Sequence, residues 1–180
     1  FDFGASAGAG AGAESEGTVT TVAGVGGKRG CRDGNATDPA GLNYPTGLAL
    51  DPTTVAASGS KPAVVYVADR SNNCIRAFEL ATDSESGSMG ASGELWTVAG
   101  DCCVGEWGHK DGIGKAARFS GPTSIVAVPV PVPTPVPAAE AAAIGAAPRT
   151  ELTAVQTVAL FVTDGGNDAV RVVLVPTGGR

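Results

Sequence analysis

The chain has 180 residues, a length that suits one domain of ordinary size rather than two independent cores. Its net charge of −6 comes from 12 basic and 18 acidic residues spread along the sequence, so no basic stripe points to nucleic acid as a partner. Glycine (27) and proline (12) are abundant and valine outnumbers leucine and isoleucine together, which argues against an all-helical protein.

The chain opens with a Gly/Ala-rich lead-in, residues 1–17, whose composition cannot bury enough apolar surface to order itself. A start at Phe1 and an end at Arg180 are expected for a segment of a longer protein. The longest uncharged stretch, Phe119–Ala139, carries five prolines in alternation and therefore predicts extended chain rather than a membrane helix.

Five short segments occur twice in the same order, which predicts two copies of one structural unit. Each copy contains an apolar segment, an Asp-Gly turn, two further apolar segments and a segment that ends in arginine. The first copy comprises Thr18–Ala23, Asp33-Gly34, Tyr44–Asp51, Val64–Asp69 and Asn72–Arg76, and the second comprises Glu94–Ala99, Asp111-Gly112, Gly121–Val128, Ala159–Asp164 and Gly166–Arg171. Each unit is thus predicted to hold four short strands joined by turns.

This succession of motifs resembles the NHL repeat, a family that builds β-propeller blades. The resemblance covers Thr18–Val175 apart from the inserts Pro52–Pro62 and Pro129–Gln156. It implies an all-β fold in which each blade is a four-stranded antiparallel sheet whose first strand lines the central channel. The implied boundaries are a blade region at 18–128, a Pro/Ala-rich insert at 129–156 and the remainder of the second blade at 157–180.

The resemblance also assigns individual strands. One full blade is formed by Gly47–Asp51, Val64–Asp69, Cys74–Leu80 and Glu94–Ala99, and three strands of the next are Thr123–Val128, Val158–Asp164 and Ala169–Val175. Thr18–Ala23 would be the outer strand of a preceding blade, so it is not expected to pair with Cys74–Leu80. Two blades cannot close a ring, and either the rest of a longer chain or further copies would complete it.

The recurring polar residues are interpreted as structural. Asp69 and Asp164 end a strand, where a carboxylate accepts backbone N–H groups of the following turn. Asn73 and its counterpart Asn167 are expected in those turns in the left-handed region. Their arginines, Arg76 and Arg171, are expected to reach such carboxylates between blades.

The four cysteines lack the spacing of a zinc site, and four cysteines allow three pairings. In the topology that the resemblance implies, Cys74 lies beside Cys102 and Cys103, so it would bond one of them and Cys31 the other. A sequon, Asn35-Ala36-Thr37, offers Asn35 as a glycosylation site. Disulfides and a sequon together favour an oxidising, extracellular or cell-surface location.

The proline-rich segment favours a polyproline II conformation, which offers its surface to partners or to modification. It resembles the spacers of plant and green-algal surface glycoproteins, and a stiff spacer is the alternative interpretation. The candidate interaction residues are Trp107, in a loop on the cysteine-bearing side, and the prolines Pro129, Pro131, Pro133, Pro135 and Pro137.

The sequence favours a non-enzymatic extracellular interaction or structural module, with no cofactor, no metal and no catalytic residue predicted. Its partners would be other protein chains or the remainder of its own propeller, with no membrane span. The alternative is a fragment of a propeller enzyme, a metal-dependent lyase or hydrolase, whose catalytic residues lie elsewhere. Only Asp51 offers a carboxylate at an inner-strand end, and the matching position is the apolar Val128.

Overall fold

The computed structural model describes residues 17, 19–36, 41–55, 62–82, 89–130 and 157–176. In this part of the chain nearly all regular structure is antiparallel β-strand, which confirms the all-β class. The helical elements are the four-residue helix α1 (Pro52–Val55) and three single 3₁₀ turns. The strands are β1 (Gly34–Asn35), β2 (Pro45–Leu50), β3 (Ala63–Asp69), β4 (Cys74–Thr82), β5 (Met89–Ala99), β6 (Pro122–Val130), β7 (Thr157–Asp164) and β8 (Ala169–Pro176).

The first sheet has the strand order β1-β5-β4-β3-β2. Its four long strands follow one another as an antiparallel meander, in the positions that the repeat predicts. The turn between β3 and β4 is tight because Asn73 adopts the left-handed conformation at φ 55°. The short strand β1 pairs with the outer side of β5, so β5 lies between two partners.

The second sheet contains β6, β7 and β8 in that order. Proline fits at the outer edge of β6 because an edge position need not donate a ladder hydrogen bond. Pro129 was predicted to open the proline-rich insert, yet it lies in β6 opposite Val158, and the strand continues to Val130.

The two sheets pack face to face through an apolar core. The first sheet contributes Tyr66, Ala68, Ile75 and Ala77, the second contributes Ile125, Val158, Leu160 and Val162, and the connection between them adds Ala117 and Phe119. The sheets approach each other closely at Gly47, where a Cβ atom would lie 2.6 Å from the Thr123 carbonyl oxygen. The Thr46 hydroxyl donates to the Pro122 carbonyl, 3.2 Å away, and ties the first strands of the two sheets together.

The far face of the first sheet is covered by the chain that precedes it. Val65, Val67, Phe78 and Leu95 form a second buried cluster with Ala36, and Val22, Ala23 and Leu42 pack against it. Because side chains alternate across a strand, these residues lie on the face opposite Tyr66 and Ala77.

The strand predicted at Thr18–Ala23 does not form: within the described residues 19–23 the chain has no strand pairing. Its counterpart β5 already occupies the edge of β4, as expected, and Val19–Ala23 pairs with none of the other described strands. A lone strand without a partner leaves its backbone groups unpaired, so the segment stays irregular.

Two disulfides tie the connections to the first sheet. Cys74 at the start of β4 bonds Cys102, and Cys31 bonds Cys103, which joins the two long connections. The Cα atoms are 5.3 and 5.1 Å apart, within the usual range for a disulfide. Among the described residues, no helix has the length and apolar character needed to cross a membrane.

Candidate functional site

A buried ionic network anchors the first sheet to the connection that precedes it. Asp69, fully buried at the end of β3, accepts hydrogen bonds from the Asn43 backbone N–H (2.8 Å) and the Asn72 side chain (2.7 Å). Arg76 lies 3.5 Å from the same carboxylate and 3.1 Å from Asp33 in the preceding connection. The network therefore fixes the connection on the sheet.

The same network recurs in the second sheet. Asp164 accepts from the Ser120 backbone N–H (2.7 Å) and from the Asn167 side chain (2.7 Å). Arg171 pairs with Asp164 at 3.1 Å and with Asp111. The repeated units are thus equivalent in their contacts as well as in their sequence.

Desolvation dominates the electrostatics of the first network. Burial raises the pKa of Asp69, and the hydrogen bonds from Asn43 and Asn72 and the charge of Arg76 oppose that rise. Burial likewise lowers the pKa of Arg76, against the attraction of Asp33 and Asp69. Asp69 and Arg76 therefore pair with each other inside the protein, as expected of residues with a structural role.

Two details of these motifs differ from the prediction. Each arginine binds the aspartate of its own sheet rather than one in a neighbouring sheet, because β3 and β4 are adjacent and place Asp69 and Arg76 together. The aspartates accept backbone N–H groups of the preceding connection rather than of the following turn. The left-handed turn position of Asn73 is filled in the second sheet by Asp168, and Asn167 matches Asn72 instead.

Asp51, the carboxylate that the enzyme alternative would use, is buried at the end of β2. One oxygen accepts from the Thr53 N–H and hydroxyl at 2.8 and 2.7 Å, and the other accepts from the Tyr66 hydroxyl at 2.8 Å. Both oxygens thus already have donors within the protein. No group of three or more His, Cys, Asp or Glu side chains among the described residues is placed to hold a metal ion.

The predicted loop contact Trp107 is 71% exposed, in the connection that carries Cys102 and Cys103. In the other connection Arg29 lies over the ring of Tyr44, 5.6 Å from its centre, and Tyr44 is itself exposed. Asn35 of the sequon is exposed, though it lies in β1 rather than in a loop. Of the predicted proline contacts, Pro131, Pro133, Pro135 and Pro137 lie outside the described residues.

The second sheet has an exposed apolar surface that was not predicted from the sequence. We call it the open face: the side of the second sheet that points away from the first, formed by Val126, Val128, Phe161, Val170, Val172 and Leu174. Phe161 is 46% exposed and Leu174 64%. The sequence did contain an indication of this surface, because the residues of β8 are apolar except for Arg171 and the terminal Pro176. A strand that is apolar on both sides is typically covered on both sides.

The open face corresponds to a face that is buried in the first sheet. The repeat offset places Phe161 at the position of Tyr66 and Val172 at the position of Ala77, and both of those residues lie in the core between the sheets. The open face is thus equivalent to a surface that packs against a sheet in the first repeat. In the described part of the chain, no sheet packs on it.

A groove of about 850 Å³ runs along the outer edge of β8, which we call the open edge because none of the described strands pairs with it. Its walls are β8 on one side and β5 on the other, and residues 109–119 of the connection form its floor. Open face and open edge meet along β8, so one partner can contact both.

No family model and no curated protein matches the chain. A solved structure that resembles it is that of an auxiliary nutrient binding protein from Bacteroides thetaiotaomicron VPI-5482, at 21% identity and a TM-score of 0.49. The match covers 86% of this chain and 28% of that protein, so this chain spans less than a third of its length.

Proposed function

We propose that this protein is a non-enzymatic, extracellular interaction or structural module, and that its two sheets are successive blades of an NHL-type propeller. The recurring motifs and the repeated Asp-Asn-Arg network support the assignment of equivalent units. The neighbouring positions of β2 and β6, the first strand of each sheet, are those expected of adjacent blades.

The observation that carries the proposal is the open face. Contiguous apolar surface of this kind is rare on monomers and marks a site where another protein packs. The partner is expected to present a β-sheet, because the equivalent face of the first sheet packs against one. The open edge adds a row of backbone groups to which a strand can bind.

Several features support the extracellular setting. The two disulfides suggest an oxidising extracellular environment, and none of the cysteines is free. Asn35 of the sequon is exposed, and the proline-rich segment resembles a surface-glycoprotein spacer. We propose that this segment and the Trp107 loop contact other chains in the same assembly.

Hydroxyl-radical footprinting of the protein in its native assembly, compared with the purified chain, tests the function. We expect lower oxidation of Phe161, Leu174 and Trp107 in the assembly, because a partner covers them. Phe78, which is only 4% exposed in the single chain, is the internal control and keeps its low oxidation rate in both samples. Equal oxidation of Phe161 and Leu174 in both samples would contradict an interaction function for the open face.

A further inference from the structure

The groove beside β8 lies where the second sheet lacks a fourth strand. In the first sheet, β5 lies between β4 on one side and Gly34–Asn35 on the other. The repeat offsets place β8 at the position of β4 and Gly112-Ile113 at the position of Gly34-Asn35, and both line the groove. The groove therefore occupies the position that β5 fills in the first sheet.

The chain contains a segment with the sequence of the strand that would fit there. Thr21–Gly24 is identical to Thr97–Gly100, the end of β5 and the glycine that follows it. Gly24 and Gly100 also share a left-handed conformation, at φ 82° and 87°. Their N–H groups donate to equivalent carbonyls, those of Ala36 and Gly114. Val19 is 98% exposed and unpaired with any described strand, so the segment is available.

The segment cannot fill the groove of its own molecule. Val22 and Ala23 pack on the Phe78–Leu95 side of the first sheet. The groove lies on the other side, where Trp96 and Val98 face the second sheet. Because the first sheet separates the two, the strand must come from a different molecule.

We propose that Val19–Ala23 of a second copy of this chain enters the groove as the fourth strand of the second sheet. The register of β4 and β5, carried over by the repeat offsets, places Val19 opposite Val173, Thr20 opposite Val172 and Thr21 opposite Arg171. The strand adds ladder hydrogen bonds to the open edge by β-augmentation.

A polar contact supports this register. In the first sheet the Thr97 hydroxyl donates to Asp33 at 2.7 Å, and the Asp33 side chain is 41% exposed. The equivalent Asp111 is 89% exposed. In the proposed register Thr21 of the second copy, the counterpart of Thr97, reaches Asp111 and completes the repeated network.

The second copy also has an apolar surface that can pack on the open face. Leu48, 65% exposed, and Leu50 lie on the far face of the first sheet, at its inner strand. Leu48 corresponds to Ile125, which packs in the core between the sheets. When Val19–Ala23 of the second copy occupies the groove, Leu48 of that copy is positioned to pack on Phe161 and Val172 of the first copy. This contact corresponds to the packing of Ile125 on the first sheet. Such a contact is head-to-tail and repeats from copy to copy.

Sedimentation velocity of the oxidised full chain over a range of concentrations tests this proposal. We expect oligomers that grow with concentration in the original protein and a monomer for Thr21→Pro, because proline removes a ladder N–H. Thr21→Val is the matched variant: it keeps the backbone and adds apolar surface but lacks the hydroxyl, so association weakens about tenfold. Near-UV circular dichroism checks that each variant is folded.

A peptide of residues 17–24 is the second probe, and it should dissociate the oligomers while the same peptide with Thr21→Pro does not. Association that survives Thr21→Pro, or that strengthens with Thr21→Val, would overturn the proposal, because it would show non-specific apolar contact. A chain that remains monomeric also overturns it, even if the peptide binds, since the strand would then come from another protein. If the open face is nevertheless protected from oxidation in the native assembly, the proposed interaction function still holds.

Discussion

Arg76 is the largest side chain that is completely buried in the described part of the protein, and its charge is balanced by Asp69 and Asp33. A buried charge is tolerated only when it is paired and hydrogen-bonded. The arginine also donates to the backbone carbonyl of Arg32 at 2.8 Å, so it joins two parts of the chain that are far apart in sequence.

Replacement of Arg76 by alanine should therefore strongly destabilise the folded protein. It leaves the buried Asp69 without its cationic partner, and we expect a loss of about 3–5 kcal/mol in the free energy of unfolding. Urea denaturation followed by fluorescence measures the change. Lys28→Ala, at an exposed position, is the control and should alter stability by less than about 0.5 kcal/mol. A loss for Arg76→Ala as small as that control would contradict a structural role of the pair.

Tyr66 gives the protein a specific sensitivity to alkaline pH. Burial, followed by its hydrogen bond to Asp51 and the charge of Asp51, raises the pKa of this phenol above its ordinary value of 10.0. Above that pH the unfolded chain loses the phenolic proton and the folded protein retains it. Because the unfolded state then binds fewer protons, stability falls as pH rises, with a slope of up to about 1.4 kcal/mol per pH unit.

The variant Tyr66→Phe lacks this proton. We expect it to be less stable at neutral pH by about 1–3 kcal/mol, because a buried Asp51 oxygen loses its donor. The stability difference between the two proteins should then shrink as pH rises above 10.0. Urea denaturation at a series of pH values measures it, and parallel pH profiles would show that Tyr66 does not titrate differently on unfolding.

The sequence identified these residues better than it identified their partners. The repeated positions of Asp69 and Arg76 indicated a structural role, yet the contact with Asp33 depends on a connection that folds back over the sheet. Neither periodicity nor spacing predicts the path of an irregular connection. Tyr66 and Asp51 are also brought together by strand pairing rather than by sequence proximity.

At the scale of elements, the contact between the two sheets depends on Gly47. A Cβ atom at this position would lie 2.6 Å from the Thr123 carbonyl oxygen and 2.7 Å from the Ser124 Cα, both of them backbone atoms of the second sheet. Gly47→Ala should therefore separate β2 from β6 and lower the free energy of unfolding by about 1–3 kcal/mol.

Gly26→Ala is the matched control for that substitution. A Cβ atom at Gly26 has nothing within 4 Å, and its backbone does not lie in the left-handed region. Urea denaturation of both variants compares them directly. Equal stability of Gly47→Ala and Gly26→Ala would mean that the sheets can separate at little cost and that the contact at Gly47 is not tight.

The strands of both sheets could be predicted because apolar alternation and turn residues recur in them. The segment 19–23 shows where that reasoning fails: it carries the same motif as β5 but forms no strand, because a strand needs a partner at its edge. Local sequence therefore specified which segments can form strands, and the neighbours available decided which of them did.

At the scale of the whole molecule, one sheet is complete and the other is not. The first sheet has its fourth strand, β5, in place, and both of its faces are covered except at Leu48 and Leu50 of the inner strand. The second has three strands, an open edge and an open face in the described part of the chain. The all-β class was implied by the resemblance of the repeated motifs to a propeller family, whereas the exposed face required knowledge of which surfaces the sheets bury against each other.

Amide hydrogen exchange in Ala169–Pro176 tests most directly whether another β-unit completes the second sheet. Alternate N–H groups of β8 point away from β7, and a bound strand would protect them. The account predicts much slower exchange of these amides in the native assembly than in the dilute, purified chain, with unchanged exchange in the already paired β4. Equal exchange of β8 in both samples would contradict the claim that a partner occupies the open edge.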